Sequence, residues 1–181
     1  MEKENKHKKE VINWIKIIII TIIISLVAKN YVFERIHING YSMMPTLNNN
    51  DSVLIEKLSL LTNNFKRGQI IIFDSENKNH DVLIKRIIGV EGDEIELIKG
   101  KVYLNGKILK EPYLEKNIIT DGGTFLNQKK KIKIEKGFVF LLGDNRVNSK
   151  DSRYFGPINI KSIKGHIILK IFPLGQIKLL F

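Results

Sequence analysis

The run VINWIKIIIITIIISLVA, from Val11 to Ala28, constrains this chain more than any other stretch, because only Asn13, Lys16, Thr21 and Ser25 interrupt it. About 18 helical residues at ~1.5 Å each span ~27 Å, close to the ~30 Å hydrocarbon thickness of a bilayer. The pattern predicts one N-terminal transmembrane helix over 11–28, with the long stem of Lys16 carrying its ammonium back to the interface. Ahead of it, MEKENKHKKE carries Lys3, Lys6, Lys8 and Lys9, more lysines than directly follow the span. The positive-inside rule then predicts a basic cytosolic tail over 1–10 and an extracytoplasmic domain over 29–181. The competing reading is a removable secretory signal, since the apolar run after Lys16 is short enough for one. Its cleavage end would be Leu26-Val27-Ala28, with a bulky Leu where a small residue is wanted, so an uncleaved anchor is expected.

Beyond the anchor, short β-branched runs alternate with Gly, Asn and Asp turns, as in DSVLIEKL (51–58), GQIIIFD (68–74), DVLIKRIIGV (81–90) and GFVFLLGD (137–144). No long amphipathic helix pattern occurs. The expected fold class is therefore mainly β, built of antiparallel sheets. KVYLNGKIL (101–109) predicts a hairpin with Asn105-Gly106 at its tip. The more polar segment 97–136 predicts a small β-rich insertion. The tail GHIILKIFPLGQIKLLF (165–181) adds a strand and an apolar end that either joins the core or dips into lipid.

The formal charge of +11, from 30 Lys+Arg against 19 Asp+Glu, fits a nucleic acid, an anionic membrane surface or simply a Lys- and Ile-rich codon bias, and charge alone does not choose among them. KKKIKIEKG (129–137) could form a basic stripe for nucleic acid, but it lacks interleaved aromatics and reads as a half-exposed strand, so no nucleic acid is expected. With no cysteine the chain has no thiol nucleophile, disulfide or Cys-ligated metal, and His7, His37, His80 and His166 share no ligand spacing. No metal and no cofactor are expected.

GYSMMPTL sets Ser42 between a glycine bend and a Met-Met-Pro step about a dozen residues past the apolar run. An ordinary turn would use the same residues. A base for that serine is available, however. In DVLIKRIIGV, alternation sends Leu83, Lys85 and Ile87 to one face and Ile84, Arg86 and Ile88 to the other, giving Lys85 apolar neighbours. Desolvated, such an amine loses its charge near neutral pH and can take a proton from a serine hydroxyl. GDNRVNSKDSRYFGP (143–157) reads as a polar loop, dense enough in hydrogen-bonding groups to hold catalytic side chains in place.

SMMPTL (Ser42–Leu47), KRIIGVEGD (Lys85–Asp93) and GDNRVNSKDSR (Gly143–Arg153), in this order behind an anchor, resemble the motifs of the type I signal peptidases, the compact Gram-positive-type members in particular. The resemblance covers nearly the whole chain. It implies a signal-peptidase-like β catalytic domain in the bacterial cell membrane, cutting signal-peptide-bearing preproteins at the lipid bilayer. By motif position Ser42 is the nucleophile and Lys85 the general base. Ser149 is the serine that hydrogen-bonds and orients the lysine, and Asp151 and Arg153 prop up the loop. The Ser42 N–H donates to the oxyanion. Ile36, Ile38, Met43 and Ile84 line shallow pockets for small residues one and three positions before the cut, or else are plain core. In some members a serine two positions before the nucleophile completes the oxyanion hole; here Gly40 stands there, and Tyr41 is uncommon in the motif.

Two other readings use the same residues. A self-cleaving SOS repressor-type protease shares the Ser-Lys pair but should be cytosolic with a DNA-binding helix pair. A non-catalytic, membrane-anchored β domain would leave Ser42 and Lys85 as ordinary residues.

Overall fold

A computed structural model describes residues 2–75, 81–128 and 130–180; His80, Lys129 and Phe181 lie outside the described residues. The chain divides into two compact units, Met1–Glu34 and Arg35–Phe181. In the first unit the apolar run forms most of helix α1 (Glu2–Val27), and its large side chains, such as Ile18 and Ile24, are exposed. Among the described residues no helix is long and apolar enough to cross a membrane.

The second unit is built of antiparallel sheets, as the alternating short runs predict. Its strands are β1 (Phe33–His37, which begins in the first unit), β2 (Ser52–Glu56), β3 (Ile70–Asp74), β4 (Val82–Gly89), β5 (Glu94–Ile98) and β6 (Lys101–Leu104). There follow β7 (Lys107–Ile108), β8 (Lys131–Lys133), β9 (Phe138–Leu142), β10 (Ile158–Asn159), β11 (Ile163–Phe172) and β12 (Lys178–Leu179). One sheet runs β1-β2-β11-β3-β4-β9-β10, with β12 pairing β11; the other runs β7-β6-β5-β8. The tail strand is therefore central, since β11 lies between β2 and β3.

Local chemistry explains the turns and helices. Asn105 and Gly106 both take positive φ, 53° and 75°, as a two-residue primed turn requires, and Leu104 pairs with Lys107 across it. Within the basic run KKKIKIEKG, Lys131–Lys133 form β8, with Ile132 half-buried between exposed lysines. The helices here are short, α2 (Leu58–Thr62) and α3 (Ser152–Phe155). α3 falls inside a segment the sequence predicts as loop; the Asp151 carboxylate caps it by accepting the Arg153 N–H.

Three apolar clusters fill the unit. Ile38, Met43, Leu47, Ile55 and Ile167 belong to one, Ile71, Phe73, Ile87 and Leu141 to a second, and Ile95, Leu97, Leu126 and Phe140 to a third. The alternation along β4 feeds different clusters: Ile84 packs on the first, while Leu83 and Ile87 belong to the second. Lys85 and Arg86, between them, are thus carried into the interior on opposite sides of the sheet.

Candidate active site

Ser42 sits in the loop that joins β1 to β2. The Ile38 N–H donates to Asp51 O (2.8 Å) and the Asn50 N–H to Ile38 O (2.9 Å), which closes the base of the loop. Inside it the Met44 N–H donates to Tyr41 O (3.3 Å) and the Leu47 N–H to Met43 O (2.9 Å). Buried Met43 and Leu47 anchor this turn in the core. Gly40 has φ +131°, and nothing lies within 4 Å of where a Cβ would stand. The backbone angle, not space, selects glycine. A serine here would strain the chain, so this backbone does not offer the side-chain oxyanion donor that some family members carry.

β4 brings Lys85 to the serine. The amine is 3% exposed and donates to Ser42 Oγ at 2.8 Å and to Ile84 O at 3.0 Å. Among the described residues no carboxylate forms an ion pair with it. Burial pushes the Lys85 amine down to about 8; the charge of Asp151 opposes this shift and that of Arg153 adds to it. The amine is thus partly uncharged at neutral pH and already in contact with the hydroxyl.

The third motif supports this pair from below. Asp151, fully buried, accepts from the Gly143 N–H (3.0 Å), the Ser149 hydroxyl (2.8 Å) and the Arg153 Nε (2.8 Å) and Nη2 (2.9 Å). Arg153 in turn donates to the carbonyls of Arg146 (2.8 Å) and Ser149 (3.1 Å). The structure therefore brings Ser149, Asp151 and Arg153 together. It gives Ser149 another partner than the resemblance implies: its hydroxyl donates to Asp151, and among the described residues no hydrogen bond joins it to Lys85. A carboxylate is the stronger acceptor for that proton. A Cβ on Gly143 would lie 2.2 Å from Ser149 Oγ and 2.6 Å from Ser42 O, so only glycine lets the two loops meet this closely.

Ser42 and Lys85 open into a cleft of about 330 Å³. Ile36, Ile38, Met43 and Ile84 all line it, and all four also pack in the first apolar cluster. Three of the residues that the sequence reading did not assign to the site bear on its geometry. His37, whose Nδ1 is 2.9 Å from Ser52 Oγ, and exposed Val82 line the cleft. Asn145 donates from its backbone N–H to Ser42 O (3.0 Å) and from its side-chain amide to Tyr41 O (3.1 Å). The motif that contains Asn145 was the only available signal for it. Among the described residues no group of three or more acidic or histidine side chains is arranged to hold a metal.

A family profile described as signal peptidase, peptidase S26, matches residues 11–172. A signal peptidase I P of Bacillus subtilis subsp. natto is 38% identical over 181 residues, covering 98% of this chain and 97% of that one. A signal peptidase IB of Staphylococcus aureus strain COL is 34% identical, covering 94% of each. Among solved structures, a signal peptidase I from Enterococcus faecalis V583 aligns with a TM-score of 0.48 and 31% identity, covering 57% of this chain and 96% of that one.

Proposed function

The chain belongs to the type I signal peptidase family, peptidase S26, and from that premise we propose that it is a membrane-anchored endopeptidase whose nucleophile and base are Ser42 and Lys85. It is a serine endopeptidase that cleaves signal peptides. The observation that carries the dyad is the 2.8 Å contact between Lys85 Nζ and Ser42 Oγ in a buried setting where, among the described residues, no carboxylate pairs with the amine.

The chemistry follows from that contact. The neutral Lys85 amine takes the Ser42 proton as Oγ attacks the scissile carbonyl. The developing oxyanion meets the Ser42 N–H, which has no acceptor within the chain among the described residues. The Lys85 ammonium then returns its proton to the departing amine. A water, deprotonated by the same amine, hydrolyses the acyl-enzyme. Asp151, Arg153 and Ser149 keep the lower loop fixed.

Substrate enters as an extended strand. β9 pairs with β4 only from Arg86 onward, so among the described residues the Val82–Lys85 edge has no strand partner on that side, and it faces the cleft. A preprotein segment added there would place alternate side chains against Ile36, Ile38, Met43 and Ile84, whose bulk leaves room for small residues only. The proposed steps call on no metal or cofactor.

Residues 1–10 form a basic cytosolic tail, 11–28 the anchor and 29–181 the extracytoplasmic domain of a single-pass protein of the bacterial cell membrane, with 97–136 as its small β insertion. The anchor shares a bilayer with the signal peptide, which raises the effective concentration of the cleavage site. The test is processing of a preprotein by the full-length chain in detergent. Ser42→Ala and Lys85→Ala should each abolish cleavage, and normal processing by either variant rejects the dyad.

A further inference from the structure

Asn145 holds both carbonyls that flank the nucleophile. Its side-chain Nδ2 donates to Tyr41 O at 3.1 Å, and its backbone N–H donates to Ser42 O at 3.0 Å. The amide orientation is set by a third bond, because its Oδ1 accepts the Asn148 N–H at 3.2 Å. Turned over, the amide would set donor against donor and oxygen against oxygen. The Tyr41–Ser42 peptide is trans, so its C=O and N–H point in opposite directions from one rigid plane. The Tyr41 oxygen also accepts the Met44 N–H, at the longer distance of 3.3 Å, and the two bonds together fix where the Ser42 N–H points. That N–H is the donor on which the oxyanion depends, since at Gly40 the backbone angle of +131° disfavours a serine hydroxyl that could share the load. The side chain of Tyr41 is exposed, so its carbonyl is the part that matters at this position.

We infer that Asn145 is a positioning residue that aims the Ser42 N–H at the oxyanion, an inference that rests on Ser42 being the nucleophile. It touches neither substrate nor the reacting atoms. Its removal should lower kcat while leaving substrate affinity and the basicity of Lys85 as they were, because the amide contacts neither the cleft strand nor the amine.

The experiment measures kcat, KM and the acid limb of the pH profile for the full-length protein in detergent, with Ser42→Ala run beside the Asn145 variants. Asn145→Ala should lose about tenfold in kcat, the order set by one ordinary hydrogen bond and less than outright removal of an oxyanion donor. KM should stay within about twofold and the acid limb should not move. Asn145→Asp keeps the shape and the bond to Asn148 but sets a carboxylate oxygen against Tyr41 O, so its kcat should fall further; it also decides the matter should the alanine variant fail to fold. Full kcat in a folded Asn145 variant, a loss confined to KM, or a displaced acid limb in Asn145→Ala overturns the inference. If Ser42→Ala is inactive in those cases, the nucleophile assignment survives; if Ser42→Ala still cleaves, that assignment falls and this inference with it.

Discussion

Lys85 and Arg86 are neighbours on one strand, both cationic types and both nearly sealed from water at 3% and 6% exposure, yet the fold treats them oppositely. Arg86 faces Asp144 in a two-pronged pair, Nε to Oδ1 at 2.8 Å and Nη2 to Oδ2 at 2.6 Å. It also donates to Gly68 O at 2.7 Å and lies 4.0 Å over the Tyr113 ring. Among the described residues Lys85 hydrogen-bonds only a hydroxyl and a carbonyl. Burial alone therefore does not decide whether a cation is structural or reactive; the partners do. A guanidinium cannot surrender its proton and is given a carboxylate, whereas an ammonium denied one becomes a base.

The contrast breaks most visibly at the paired residue. Arg86→Met leaves Asp144 charged and buried at 2% exposure, which should cost about 3–5 kcal/mol. At ~2–4 °C per kcal/mol for a chain of this size, thermal unfolding should begin about 6–20 °C lower. The double variant Arg86→Met with Asp144→Leu should recover most of that loss, since neither charge then remains buried.

At Lys85 the sign reverses. The folded amine titrates at about 8 against 10.5 for the free side chain, so protonation opposes folding. That cost is fully present below about pH 8 and fades as pH rises through 10.5. At 1.36 kcal/mol per unit it reaches about 3 kcal/mol. Lys85→Met should be inactive yet more stable by about 1–3 kcal/mol at pH 7, after the loss of two hydrogen bonds, and the gain should vanish near pH 11. Equal destabilisation at both positions would show that the two cations are alike after all.

What the sequence made legible divides along the same line. Alternation in DVLIKRIIGV, the Asn105-Gly106 tip and the two faces of β4 are local, and each follows from neighbours a few residues apart. That Lys85 reaches a serine 43 residues away, or that Asn145 reaches Tyr41 across 104 residues, depends on loop closure that no local pattern encodes. Alternation and desolvation made Lys85 a candidate base for Ser42, and the three-motif resemblance assigned the pair, but neither brought the two side chains into contact. The resemblance passed over the bond from Ser149 to Asp151 because a serine in a polar loop has several acceptors within reach. Arg86 was assigned a face but no partner, because its aspartate stands 58 residues on. The short α3 escaped because its signal is one capping carboxylate rather than a periodic face.

The rate itself sharpens the comparison. With an amine at about 8 as the base, kcat/KM should fall about tenfold for each pH unit below that value, following the uncharged fraction. A profile flat from pH 5 to 9 would mean that Lys85 does not act as a free base.

The finest adjustment lies one loop away, in Asp151. Its negative charge favours the ammonium and opposes the lowering by burial, while the positive charge of Arg153 works the other way. Asp151→Asn removes the opposing charge and leaves that of Arg153 uncompensated, so both changes push the Lys85 amine lower. The acid limb of kcat/KM should move to lower pH by roughly half a unit to one unit, about 0.7–1.4 kcal/mol. The amide keeps one oxygen of the buried carboxylate, so some of the bonds from Gly143, Ser149 and Arg153 can persist. Because a midpoint does not depend on how much enzyme is active, it separates this electrostatic effect from partial loss of the loop. A limb that stays in place would mean that the lysine is set by its dry surroundings alone, and one that moves to higher pH would overturn the role given to the Asp151 charge.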